Sequence, residues 1–287
     1  MPETRMIPVG EVSLFIRELG TPRDGQAPLL VVHGGPDWDH SYLLPPMQEL
    51  GRHRQVIMVD LRGCGRSTRG LGPQRYQPEF VVDDLVALIT SLGHRQVDLL
   101  GFSTGGQIAQ LLAAARPELL RSLILASTTA YPDARQLLED WPDYQQRAAM
   151  TVPSPGWVAR ETDPDTLATI NWAIDSAPTS VWNLDLLDDY LDLLSRVRFT
   201  GEWIVGFRAG LLHPWRPDDP EEVLRSFPGP VLILHGAQDM CFSVQVAKRL
   251  HAAVPATRLR VIEEAGHMTH LDQPEAWVRN VAEFLAH

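Results

Sequence analysis

Short, largely apolar stretches recur through the first 130 residues, each bounded by Gly, Pro or Asp: Leu29–Val32, Val56–Val59, Val97–Leu100 and Leu123–Leu125. Two more, Val231–Leu234 and Leu259–Ile262, appear near the other end of the chain. Runs that do not alternate suit strands buried on both faces, as parallel strands are. Between them, Phe80–Leu92, Gly106–Ala115, Ser243–Val254 and Pro274–Leu285 carry apolar residues at three- and four-residue steps, the spacing of a helix with one buried stripe. Pro274 suits a first helical turn, and Asp272 just before it reads as a start signal. Glu11–Leu19 is different, because Val12, Leu14 and Ile16 alternate with polar neighbours and predict an outer antiparallel strand. The β-α-β-α order predicts an α/β fold, a mostly parallel sheet with helices on both faces.

The alternation fails between about Tyr131 and Ser226, where the chain turns helical, acidic and rich in Trp and Pro. The pattern therefore predicts a core domain of residues 1–130 and 227–287 interrupted by a helical cap, residues 131–226. That segment holds 17 Asp/Glu against 8 Lys/Arg, so almost all of the chain's formal charge of −11 sits in it. Six of the eight Trp are there as well. A chain of 287 residues with 44% hydrophobic residues has enough material for a large core and a cleft. The acidity argues against a nucleic-acid partner, which needs Lys/Arg contacts to phosphates. Met1–Gly10 has no basic, apolar leader pattern, and no segment stays apolar for the roughly 18 residues of a membrane span. Two cysteines make no disulfide framework. The expectation is a cytoplasmic protein with no membrane partner.

Chemistry enters at the end of the third apolar run, where Gly101-Phe102-Ser103-Thr104-Gly105-Gly106 leads into a helix. A G-x-S-x-G sequence between strand and helix is the setting in which a sharp turn lifts a serine hydroxyl above a sheet. The plain alternative is a Gly-rich turn with Ser103 as helix N-cap. A serine becomes a nucleophile only beside a base that is itself oriented by a third group. Val231–Leu234 runs into His235-Gly236-Ala237-Gln238-Asp239, and Leu259–Ile262 into Glu263-Glu264-Ala265-Gly266-His267. Ser103, Asp239 and His267 thus follow one another, each just past the carboxyl end of a strand, where open α/β sheets hold ligands. His270 is the rival base, and its distance from the strand end makes it a structural or rim residue instead. Ala126–Ala130, the other place for the acid, offers no carboxylate.

Leu29–Val32 runs into His33-Gly34-Gly35-Pro36, whose glycines let amides approach a bound carbonyl. The backbone N–H groups of Gly35 and Thr104 are the expected oxyanion donors, and Gly34 and Phe102 lie where they would touch substrate. Asp60-Leu61-Arg62-Gly63-Cys64-Gly65-Arg66-Ser67 lacks the third glycine of a dinucleotide loop, and no G-K-[ST] sequence follows. It reads as a structural turn with Arg62 or Arg66 paired locally. Cys64 and Cys241 read as unreactive small residues. There is no metal-ligand spacing and no cofactor motif.

In H-G-G-P, D-x-R-G-x-G-R-S, G-x-S-x-G-G, Asp239 and Gly266-His267, in that order, the chain resembles the α/β-hydrolase superfamily in its cap-bearing branch. The first two motifs look most like the proline iminopeptidase group (peptidase family S33), aminopeptidases that release an N-terminal residue. Those peptidases usually carry Trp immediately after the nucleophile, in G-G-S-W-G, where this chain has Thr104. The resemblance implies a serine hydrolase acting on a carboxylic ester or amide, with Ser103, His267 and Asp239 as a triad and no cofactor. It also implies an acidic cap that binds an α-amino group, so that Trp172 and Trp203 would line an aromatic pocket with an acidic rim for a small-molecule or short-peptide substrate. Asp185, Asp188, Asp189 and Asp192 have the alternative of forming a solvated helix face. A carbon–carbon bond hydrolase, a perhydrolase and a non-catalytic receptor share the same pattern.

Overall fold

The computed structural model describes residues 3–286. Its strands are β1 (Glu3–Val9), β2 (Val12–Leu19), β3 (Leu29–Val32), β4 (Val56–Val59), β5 (Val97–Phe102), β6 (Leu120–Ala126), β7 (Val231–Gly236) and β8 (Arg258–Ile262). They form one sheet in the order β1-β2-β4-β3-β5-β6-β7-β8. β2 pairs antiparallel with β1 and β4, and every pairing from β4 to β8 is parallel. The predicted strands are all present. β1 is an addition: six of its seven residues are at least partly exposed and it pairs only with β2, so no apolar run marks it in the sequence.

Successive residues of the central strands bury into opposite layers, as a period of two requires. Leu30, Val32, Leu99, Leu123 and Ile233 pack under helices α2 (Pro78–Ser91), α3 (Thr104–Ala115) and α10 (Val244–Ala253). Leu29, Val31, Leu100, Ile124 and Leu232 face α1 (Leu44–Gly51) and α12 (Pro274–Leu285). Asp98, buried within β5, is held by Arg54, Arg121 and the Ser122 hydroxyl at the amino end of the sheet, far along the strand from Ser103.

Between β6 and β7 lie α4 (Pro142–Ala148), α5 (Pro164–Asp175), α6 (Ala177–Ser180), α7 (Leu187–Leu194), α8 (Glu202–Arg208) and α9 (Pro220–Ser226). Ile170, Ala173, Tyr190 and Leu194 extend the apolar layer of α1 and α12. Leu224 of α9 packs instead with Ile108 and Leu112 of α3. Two carboxylates, Asp37 buried and Asp272 half-buried, bind this segment to the loops beneath it. Asp37 accepts from the Thr200 hydroxyl and the amides of Trp203 and Ile204 at 2.8–3.0 Å, capping the start of α8. Asp272, the last residue of α11 (Thr269–Asp272), accepts from the amides of Gly266, Trp182 and Asn183 at 2.8–3.1 Å. Asp272 is therefore not the start signal of α12, whose preceding residue Gln273 makes no side-chain cap.

Candidate active site

The chain leaves β3 for β4 on one side and returns to β5 on the other, so the connections diverge between β3 and β5 and open a crevice at their carboxyl ends. The His33–Pro36 loop and Ser103 face each other across it. Ser103 has φ 54° and ψ −124°, a conformation that few non-glycine residues adopt. The turn is fixed from behind: Ser103 N–H donates to the Ala126 carbonyl at 3.0 Å, and its own carbonyl accepts from Gly106 N–H at 2.9 Å and the Thr128 hydroxyl at 2.5 Å. Gly105 lies so close to the Val32 and His33 carbonyls that a β-carbon there would run into both. Ser103 makes no capping bond to the helix it precedes, so its hydroxyl is left for the crevice.

That hydroxyl lies 3.0 Å from His267 Nε2, and His267 Nδ1 lies 2.9 Å from Asp239 Oδ2. An ionised carboxylate only accepts, so Nδ1 carries the hydrogen and Nε2 is free to accept from Ser103. Asp239 Oδ1 accepts from the amides of Cys241 and Phe242 at 2.8 Å each. Burial works to raise the Asp239 pKa, but the two imidazoles beside it outweigh that, and its carboxyl is held far below the usual carboxylate range. The second imidazole is His235, whose Nε2–H donates to the Phe242 carbonyl at 2.7 Å and lies 3.3 Å from Asp239 Oδ2.

Gly35 has φ +61°, which admits glycine readily, and Trp38 packs against the face where a side chain would stand. Gly34 lies behind this point, with its N–H donating to the Tyr42 hydroxyl at 2.7 Å. His33 is buried, with Nε2 accepting from Leu61 N–H. In the D-x-R-G loop, Arg62 makes a two-pronged pair with Asp84 of α2 at 2.6 and 2.7 Å, and Arg66 reaches Asp39. His270 is buried against the rings of Tyr42, Phe102 and Trp277, where burial pushes its pKa down to about 3.

The crevice continues into a cleft of about 180 Å³ between the strand ends and the helical segment. Gly35, Phe102, Ser103, Thr104, Trp172 and His267 line it. Gly34 and Trp203 do not. Trp203 is buried against Tyr76 and Trp215, and its indole N–H donates to the Arg62 carbonyl, because α8 turns that face down onto the D-x-R-G loop. The expected acidic rim is absent too: among the described residues no carboxylate lines the cleft, and Asp185, Asp188, Asp189 and Asp192 are all exposed to solvent. Trp38, Tyr42, Arg135, Ser176, Ser180, Tyr190, Phe242 and Met268, which the sequence reading passed over, also line it, as does Cys241, read there as an unreactive small residue. Cys241 and Phe242, two and three residues past Asp239, were within reach of a reading of that loop. The Cys241 thiol has its pKa raised by burial and by the charge of Asp239.

The family model described as alpha/beta hydrolase fold matches residues 27–274. The chain is 26% identical to a proline iminopeptidase of Clostridioides difficile over 94% of both chains. It is 25% identical to a putative carbamate hydrolase, RutD, of Pseudomonas savastanoi, over 94% of this chain and 98% of that one. A thermophilic esterase from Thermogutta terrifontis superposes with a TM-score of 0.72 at 24% identity, covering 99% of this chain and 98% of that one. Among the described residues no helix is long and apolar enough to cross a membrane. The chain therefore belongs to the α/β-hydrolase fold family, as a hydrolase with proline iminopeptidases among its relatives.

Proposed function

We propose that this protein is a carboxylic ester hydrolase that works through an acyl-enzyme on Ser103. The observation that carries the reading is the unbroken chain Ser103 Oγ, His267 Nε2, His267 Nδ1, Asp239 Oδ2, with links of 3.0 and 2.9 Å. In this reading His267 takes the hydroxyl proton as Ser103 attacks the ester carbonyl. The new oxyanion forms against the amides of Gly35 and Thr104, the second at the start of α3, where the helix dipole favours negative charge. His267 returns the proton to the leaving alcohol, then activates a water that releases the acid. Asp239 holds the ring's tautomer and stabilises its charged form. Residues 131–226 act as a lid that shapes the cleft, and the two unpaired cysteines accord with a cytoplasmic enzyme acting on a small molecule.

The relatives named proline iminopeptidase favour a second reading, release of an N-terminal residue. An α-ammonium group in an apolar cleft needs a carboxylate partner, and the described residues lining the cleft offer none, which puts ester hydrolysis first. Aryl acetates and butyrates assayed beside prolyl- and alanyl-anilides, each with free and blocked amine, separate the two. Ester turnover that is lost in Ser103→Ala is expected. Turnover confined to free-amine anilides would replace ester hydrolysis by the peptidase reading.

A further inference from the structure

Residues 131–226 carry the chain's most acidic composition, yet the charged side chain they bring to the cleft is a cation, Arg135. Arg135 follows β6 at the start of the helical segment and is exposed at the cleft. Its guanidinium makes no ion pair and no hydrogen bond among the described residues. The neighbouring carboxylates do not take it up: Asp133 pairs with Arg249, and Glu139 and Asp140 are exposed to solvent. It lines the cleft together with Cys241 and His267, and its charge bears on the Cys241 thiol.

The rest of the lining is uncharged apart from the His267 imidazole. Trp38 Nε1, which can only donate, is buried without a partner. The Tyr190 hydroxyl is buried beside Ser180 with no bond of hydrogen-bond length. The Ser176 and Ser180 hydroxyls spend their hydrogens on backbone carbonyls. Among its described lining residues the cleft thus presents a positive charge without a counter-charge. A ligand that brings acceptor oxygens and one negative charge matches it, whereas a cationic one would meet Arg135 with nothing to offset the repulsion.

We infer that Arg135 is a specificity-determining residue that receives a carboxylate on the substrate, so that the preferred substrates are short-chain esters ending in a free carboxylate. This rests on the hydrolase reading of the same cleft. The carboxylate is a handle and does not react: the bond broken is the ester C–O at Ser103, water supplies the new oxygen, and the alcohol leaves with one proton.

Three aryl esters of matched length test it: phenyl hydrogen glutarate, its methyl ester and phenyl pentanoate. The wild type is expected to prefer the free acid by about tenfold in kcat/KM, the effect of one charge-assisted hydrogen bond, with the difference in KM. Arg135→Gln should bring the ratio to within about twofold, Arg135→Lys should keep part of it, and Arg135→Glu should reverse it. An unchanged ratio in Arg135→Gln, or a wild type that favours the neutral esters, overturns the assignment while leaving ester hydrolysis intact. Calorimetry of monomethyl glutarate on Ser103→Ala, with and without Arg135→Gln, reads the same contact without turnover. Equal affinity in the two proteins, or no binding to either, also overturns it. Loss of hydrolysis on all three esters with carboxylate binding retained would strike the hydrolase reading alone.

Discussion

The loops at the carboxyl edge of the sheet and the helical segment 131–226 wall one cleft with opposite materials. On the sheet side the groups nearest Ser103 and Asp239 are fixed by hydrogen bonds. Ser103 is tied through both its amide and its carbonyl, Asp239 takes two amides and an imidazole, and His33 is locked to Leu61. On the helical side Trp172 is half exposed, Arg135 is unpaired and the Tyr190 hydroxyl is unmatched. Asp37 and Asp272 join the halves at the loops that carry Gly35 and His267. On the proposed reading the difference separates two tasks: rigid placement of reacting atoms on one wall, and selection by groups whose partner is a ligand on the other.

Substitutions on the sheet side should therefore reduce kcat and leave affinity nearly intact. Ser103→Ala is expected to lower kcat on an aryl ester by about 10⁴-fold or more, and Asp239→Asn by a comparable factor through loss of the correct tautomer, with no fall in Tm for Ser103→Ala. A loss below about tenfold in either would break the division.

At the junction, Asp272→Ala leaves three amides without their acceptor and should cost about 2–3 kcal/mol, read as a drop in thermal midpoint of several degrees. The loop bearing His267 should loosen with it, so kcat is expected to fall although Asp272 touches no reacting atom.

His270 gives the sheet side a pH signature. Its folded pKa is pushed down to about 3, below the ordinary histidine value, so between those limits the unfolded chain binds a proton that the folded one refuses. Stability from this group is whole above pH 6.5 and falls as the pH drops towards 3. Asp37, raised to about 6 by burial, acts the other way, because the folded protein takes up its proton first as the pH falls. His270→Phe should accordingly gain on the wild type by about 2 kcal/mol as the pH goes from 6.5 to 5, measured as the difference in urea midpoints at each pH. The smallest effect belongs to the helical side: Trp172→Ala should raise KM by about three- to tenfold with kcat within about twofold, the loss of one partly exposed aromatic contact.

The two walls also differ in how far the sequence disclosed them. Ser103, Asp239 and His267 were legible because an elbow demands small residues at fixed steps, and because each follows a run that burial on both faces forces to be apolar. β1 left no such trace, since a mostly exposed edge strand needs no apolar run. Trp203 misled because composition does not tell an indole that faces a cleft from one packed on the loop below. Asp272 has the look of a helix start, and only the fold reveals that Trp182, about ninety residues earlier, shares it. Arg135 sits in an irregular stretch, and its importance lies in the absence of a partner, which no periodicity records.

The most direct measurement is the covalent one. Wild-type and Ser103→Ala enzymes are quenched in acid during turnover of an aryl butyrate, and their peptides are weighed. A butyryl group of about +70 Da is expected on the peptide containing Ser103 in the wild type and absent in the variant, as the chemistry of an acyl-enzyme requires. Full turnover in Ser103→Ala, or the acyl group on another residue, would contradict it.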